Sequence, residues 1–159
     1  MAMKASIQHH NDAVLSSLEP GDQVEFKRGV YSHWGVYIGD GYVIHLASPD
    51  GQSLSKTEKA VVRRDKIKDV AANSKMYKNN SKGEKYGLKA FSKSDIVKRA
   101  KSQLGREGYN LLASNCEHFV SWCCYDIEIS DQVDDRIELT AKAAKMFFSW
   151  LQEKGKHTS

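Results

Sequence analysis

Cysteine is scarce in this chain and poorly placed for cross-linking. Cys116, Cys123 and Cys124 are an odd number of thiols gathered within nine positions, which excludes a disulfide framework and points to free thiols in a reducing, cytoplasmic compartment. No N-terminal run has the apolar core of a signal peptide. The one long helical pattern near the C-terminus, over residues 132–153, is too interrupted by charge to span a bilayer. An internal repeat, a Gly-rich phosphate loop and a paired-carboxylate motif are all missing, which sets aside solenoids, P-loop nucleotide chemistry and acid–base work by two carboxylates. Nor is there room for two ordinary domains. The 159 residues, 28% charged and 40% hydrophobic, suit one soluble globular domain with a real core and one site. The net charge of +4 favours anionic partners, phospholipid headgroups or nucleic acid, without choosing between them.

What is present falls into order along the chain. Residues 1–18 read as a flexible polar arm, in which His9-His10 offers too few ligands for a metal. Glu19-Pro20-Gly21-Asp22 is a turn, and Gln23-Val24-Glu25-Phe26-Lys27 an alternating, half-buried strand. His33 to Leu46 reads as a β-hairpin around Gly39-Asp40-Gly41. A two-residue Asp40-Gly41 turn pairs Gly39 with Tyr42 and sends His33 and His45 to opposite faces. A three-residue loop pairs Ile38 with Tyr42 and Gly35 with His45. The second register is expected, because it unites Trp34, Val36, Ile38, Tyr42, Ile44 and Leu46 on one core face. His33 and His45 then share the other, about 7–8 Å apart at the backbone, with Gly35 leaving space beside both rings.

Past the turn at Ser48-Pro49-Asp50-Gly51, residues 60–64 and 67–70 are expected as short strands. Residues 73–93 form a polar stretch with Lys75, Lys78, Lys82, Lys85, Lys89 and Lys93 against one acid, Glu84. That stretch is either a solvated loop or a basic face for lipid headgroups or RNA. Ser94 caps an amphipathic helix over 95–104 that Gly105 closes. Tyr109 to Leu112 is extended, a helix follows over 115–125, and residues 132–153 form an amphipathic helix.

The chemistry concentrates in Ser114-Asn115-Cys116-Glu117-His118-Phe119. Ser114 and Glu117 have the spacing of a capping box, which makes Cys116 a first-turn residue. There the helix dipole and free N–H groups lower a thiol's pKa and supply donors for an oxyanion. The plainer alternative is that Cys116, Phe119, Val120 and Cys123 are an i, i+3, i+4, i+7 core stripe. Taken alone, the stretch leaves both readings open. With two histidines on one strand face it supplies a nucleophile, Cys116, a general base, His33, and an orienting group, His45. Zinc held by His33, His45 and Cys116 is the competing chemistry, disfavoured because Cys-x-x-Cys and His-x-x-x-His spacings are both missing.

Five motifs carry a family resemblance: Pro20-Gly21-Asp22, Tyr31-Ser32-His33-Trp34, residues 36–47 from Val36 to Ala47, Asn115-Cys116-Glu117-His118-Phe119-Val120, and Ser130-Asp131-Gln132-Val133. Through them the chain resembles the lecithin:retinol acyltransferase-like proteins, a permuted branch of the NlpC/P60 papain-like superfamily, and within it the phospholipase A/acyltransferase members. The resemblance implies an α+β fold, an antiparallel sheet packed against the helix bearing the nucleophile. It also implies Cys116 as nucleophile, His33 as base and His45 as third member, with Tyr31 and Asn115 supporting and His118 structural. The implied reaction takes an acyl group from a glycerophospholipid through a Cys116 thioester, with no cofactor.

Active lipid enzymes of this group usually end in a hydrophobic anchor, where this chain has its amphipathic segment. Weak peripheral membrane contact is therefore expected. The chain also resembles the H-box/NC non-structural proteins of picornaviruses, which implies an inactive interaction protein, with RNA as a partner. The domain reading is an arm over 1–18, a catalytic domain over 19–131, and a C-terminal helix and tail over 132–159.

Overall fold

The hairpin expected at Gly39-Asp40-Gly41 is the centre of the sheet, and it reaches the useful register by an unexpected route. In the computed structural model, which describes residues 2–49, 59–110 and 113–126, strands β2 (Ser32–Gly39) and β3 (Tyr42–Ala47) pair Gly39 with Tyr42. The loop is thus the two-residue one. Asp40 and Gly41 both have positive φ, 54° and 83°, as a turn matched to strand twist requires. The register then shifts between Tyr37 and Gly39, so that Gly35 still faces His45. Ile38 is the extra residue of a β-bulge, and one inserted residue restores what the shorter loop would have lost. His33 and His45 consequently share a face.

Among the described residues, four more strands join them in an antiparallel sheet in the order β5-β1-β2-β3-β4-β6. They are β1 (Gln23–Lys27), β4 (Lys59–Lys66), β5 (Met76–Lys78) and β6 (Glu107–Asn110). With helices α1 (Ala2–Ser17), α2 (Ile67–Ala71), α3 (Lys93–Ser102) and α4 (Ala113–Tyr125) the architecture is α+β. Trp34, Val36, Ile44 and Leu46 pack with Ile96 and Ala100 of α3 and with Cys116, Phe119, Val120, Cys123 and Cys124 of α4. On the opposite face Val24, Phe26, Tyr37, Val43 and Met76 pack with Ile67, Val70 and Ala71 of α2, and α1 adds Val14 and Leu15. Phe26 and Phe119 are fully buried, and each stabilises the fold by about 2–3 kcal/mol.

Several expectations are corrected. The arm at residues 1–18 is helix α1, tied down by Asn11 Nδ2 donating to the Ser74 carbonyl and Asn11 Oδ1 accepting from Met76 N–H, both at 2.9 Å. Residues 67–70 belong to helix α2 rather than a strand, because the buried positions are Ile67, Val70 and Ala71, a helical spacing that period-two alternation cannot bury. The cap of α3 is Ser92, whose side chain accepts from Asp95 N–H, not Ser94. The polar 73–93 stretch carries β5 and a 3₁₀ turn at Lys82–Tyr86. Its basic face is broken up: Lys82 is buried and Lys93 pairs with Glu19 and Asp22. The expected helix over 132–153 and the Ser130 to Val133 motif lie outside the described residues.

Candidate active site

Helix α4 begins at Ala113, so Ser114 lies inside the helix rather than at its cap, a difference within the usual fraying of helix ends. Cys116 is the fourth helical residue and is buried, 3% exposed. Its thiol donates to the Leu46 carbonyl of β3 at 3.3 Å. The core-stripe reading of Cys116 is met, since the side chain is buried in one cluster with Trp34, Leu46, Phe119, Val120 and Cys123.

The two histidines are in direct contact. His33 Nε2 lies 2.7 Å from His45 Nδ1, and the rings meet edge to face with centroids 5.0 Å apart. Gly35 admits them: a Cβ added there would come within 3.4 Å of the His45 Cβ. Both imidazoles are buried. Burial holds His33 well below its ordinary value, with the positive charges of His45 and Arg28 adding to it. His45 is also lowered by burial, against the opposing hydrogen bond and charge of Asp65. Both rings are therefore neutral at pH 7.

The same physics acts on the thiols. Burial pushes Cys116 up to about 12, with the Arg28 charge opposing it. Cys124 is likewise pushed to about 12 and Cys123 well above its ordinary value. The lowered thiol pKa expected from the helix start is not found.

Three charged groups that the sequence reading passed over shape this site. Asp65 accepts from His45 Nε2 at 2.7 Å and from Arg63 Nε and Nη2 at 2.6 and 2.8 Å. Strand β4 was expected to stop at Arg64, one residue short of it. Extending the alternation Val61, Arg63, Asp65 opposite β3 would have put the carboxylate on the histidines' face, since Val43 pairs with Asp65 and His45 with Arg63. The third group is Arg28, at the end of β1. Its guanidinium donates to the carbonyls of Val70 and Ala71, at the C-terminus of α2, and to Ser74 Oγ, a favourable place for a cation. Its charge also counters the burial-driven rise of half-buried Tyr31. Asn115 is buried beside Cys116.

The structure thus joins His33 to His45 and seats Cys116 against β3, while the thiol hydrogen-bonds to Leu46 rather than to His33. No group of three or more His, Cys, Asp or Glu side chains disposed for a metal occurs among the described residues.

An antiparallel sheet with two histidines on its central hairpin and a cysteine-bearing helix against it is the α+β arrangement of NlpC/P60-like, permuted papain-like proteins. Within that class the chain belongs to the lecithin retinol acyltransferase family, whose model matches residues 16–129. Among curated relatives, it is 42% identical over 143 residues to phospholipase A and acyltransferase 3 of Pongo abelii, covering 84% of this chain and 86% of that one. The Homo sapiens protein of the same name is 41% identical with the same coverage. Phospholipase A and acyltransferase 1 of Homo sapiens is 39% identical over 142 residues, 83% of each chain.

Proposed function

We propose that this protein is a phospholipase A and acyltransferase that works through a thioester on Cys116, with His33 as general base and His45 orienting it. The observation that carries the reading is the 2.7 Å contact between the two imidazoles, with the thiol seated on the residue that follows His45. His33 commits Nε2 to His45, which leaves Nδ1 for the thiol proton. In this reading the thiol leaves the Leu46 carbonyl in the substrate complex and gives its proton to that nitrogen.

Because the imidazole is neutral and the thiol protonated, the nucleophile forms as it attacks. Sγ bonds to the ester carbonyl carbon of a glycerophospholipid while its proton passes to His33. The tetrahedral intermediate then expels the lysophospholipid oxygen, which takes that proton back. N–H groups at the start of α4, with Tyr31 and Asn115 supporting, face the developing oxyanion. Water, or a lipid amine, next loses a proton to His33 and attacks the thioester, freeing Cys116. Dividing ester cleavage this way replaces one high barrier by two lower ones. The reading confines the chemistry to residues 19–131.

No helix among the described residues is long and apolar enough to cross a membrane, and we assign the protein a cytoplasmic location with peripheral contact. Among the described side chains of the 73–93 stretch, exposed Lys75, Lys78 and Lys89 are left for an anionic surface, each contributing on the order of 1 kcal/mol. Adhesion to liposomes should accordingly weaken with salt and strengthen with anionic lipid.

Intact-mass analysis after exposure to phosphatidylcholine tests the central claim. The wild type gains one acyl mass and releases lysophospholipid, and Cys116→Ala does neither. No adduct and no lysophospholipid from the wild type would leave the chain an interaction protein, and RNA binding that falls steeply with salt would be the next measurement.

A further inference from the structure

Asp65 has no part in the steps above, yet it completes a continuous chain of hydrogen bonds into the site. We infer that Asp65, clamped by Arg63, is a positioning residue that fixes the tautomers of both histidines and so leaves Nδ1 of His33 as the bare nitrogen facing the reaction. The inference rests on His33 being the base. It follows from counting donors and acceptors. An ionised carboxylate only accepts, and Asp65 is held ionised, far below the usual carboxylate range, by its bond from His45 and by Arg63. His45 must therefore carry its proton on Nε2, where Asp65 Oδ2 is 2.7 Å away.

A neutral His45 then has a lone pair on Nδ1, and the nitrogen 2.7 Å from it, Nε2 of His33, must be the donor. Neutral His33 is left with its lone pair on Nδ1. Without Asp65 the carboxylate that selects this arrangement is gone, and the reversed one opens, in which His33 Nδ1 carries a proton and takes none from the thiol.

The carboxylate is itself prevented from turning. Arg63 grips both of its oxygens, through Nε to Oδ2 and Nη2 to Oδ1, and a bidentate guanidinium fixes the plane of a carboxylate as well as its position. The opposite side of the guanidinium is anchored by Nη1 donating to the Pro49 carbonyl. The charged groups acting on His45 are Asp65 and Arg63 from β4 and Arg28 from the end of β1, with the His33 ring beside it.

The test reads the tautomers directly. Nitrogen-15 shifts of the imidazoles in the free wild-type protein should place both His33 and His45 in the Nε2–H form at pH 7. In Asp65→Ala the Nδ1–H form appears at both rings. With phosphatidylcholine, kcat of Asp65→Ala falls by about 10- to 100-fold, a share of the 10²–10⁴ that a positioned base contributes, while KM changes little. The acid limb of the rate profile also moves to lower pH, because the group that favoured a protonated ring is gone. Arg63→Gln, which keeps the carboxylate and loosens its clamp, shows a smaller loss in the same direction and serves if Asp65→Ala does not fold.

Wild-type rings in the Nδ1–H form overturn the inference, as do variants whose tautomers or kcat match the wild type. A wild type with the expected tautomers but no acyl adduct would instead overturn the catalytic reading and leave the proton arrangement standing.

Discussion

Raising a thiol from 9.0 to about 12 makes it harder to ionise by roughly 4 kcal/mol, whereas a helix terminus returns about 2 kcal/mol at most. Desolvation wins at Cys116, and the thiol is protonated in the folded protein at neutral pH. Iodoacetamide should therefore label the native protein slowly at pH 7, with a rate still climbing at pH 10; a labelling midpoint below pH 7 would mean a standing thiolate. The low value of His33 and the high value of Cys116 together predict kcat/KM that is flat through neutrality, with its acid limb below pH 6.5. An acid limb above pH 7 would contradict a neutral, buried base. At this scale the sequence could supply identities but not surroundings. The shared face of His33 and His45 was legible from the hairpin register and the helix bearing Cys116 from its periodicity, whereas burial, which sets their protonation, depends on neighbours distant along the chain. Arg28 escaped notice for the same reason, since its partners Val70, Ala71 and Ser74 lie more than forty positions away.

Among the elements, the 3₁₀ turn at Lys82–Tyr86 is held to α4 by a buried ion pair. Lys82 Nζ lies 3.7 Å from Glu117 Oε2, both side chains 1% exposed, and 4.2 Å from the centre of the Trp34 ring. Gly83 comes against Tyr125 so closely that a Cβ would strike the phenol ring, while the Tyr125 hydroxyl accepts from Gly83 N–H at 3.0 Å. Removing one partner of such a pair strands the other charge. Lys82→Ala should destabilise the fold by about 3–5 kcal/mol, read by urea unfolding, and Lys82→Met with Glu117→Gln by clearly less. A loss under 1 kcal/mol for Lys82→Ala would show that the turn is not anchored there. Composition made this lysine look like its solvated neighbours, because nothing local separates Lys82 from Lys78 or Lys89. The hairpin was read more successfully since its register is local, even though the bulge at Ile38 replaced the longer loop. Strand β4 was found but cut short: ending it at Arg64 rather than Lys66 left Asp65 out.

Across the whole molecule, the buried histidines make stability depend on acidity. His118 is lowered to about 4 by burial and the nearby Lys82 charge, and His33 and His45 are lowered too. Below pH 6.5 the unfolded chain takes up protons that the folded chain refuses, so stability rises with pH through this window and falls on acidification. His118 alone should remove roughly 3 kcal/mol between pH 6.5 and 4. Asp65 and Asp22, whose carboxyls are held low, extend the loss below pH 4. Urea midpoints that stay constant from pH 7 to 5 would contradict this.

Helix α1 lies almost wholly outside the stretch matched by the family model, which starts at residue 16, yet it occupies the open side of β5. His10 Nε2 donates to the Met76 carbonyl and Asn11 Oδ1 accepts the Met76 N–H, both at 2.9 Å, so two side chains do for that strand what a further strand would do. A chain lacking residues 1–17 would present Met76 with both backbone groups unmatched at the rim of a ready template. Two such chains would join β5 to β5 into one continuous sheet, and size-exclusion chromatography should show a concentration-dependent dimer that the full chain does not form.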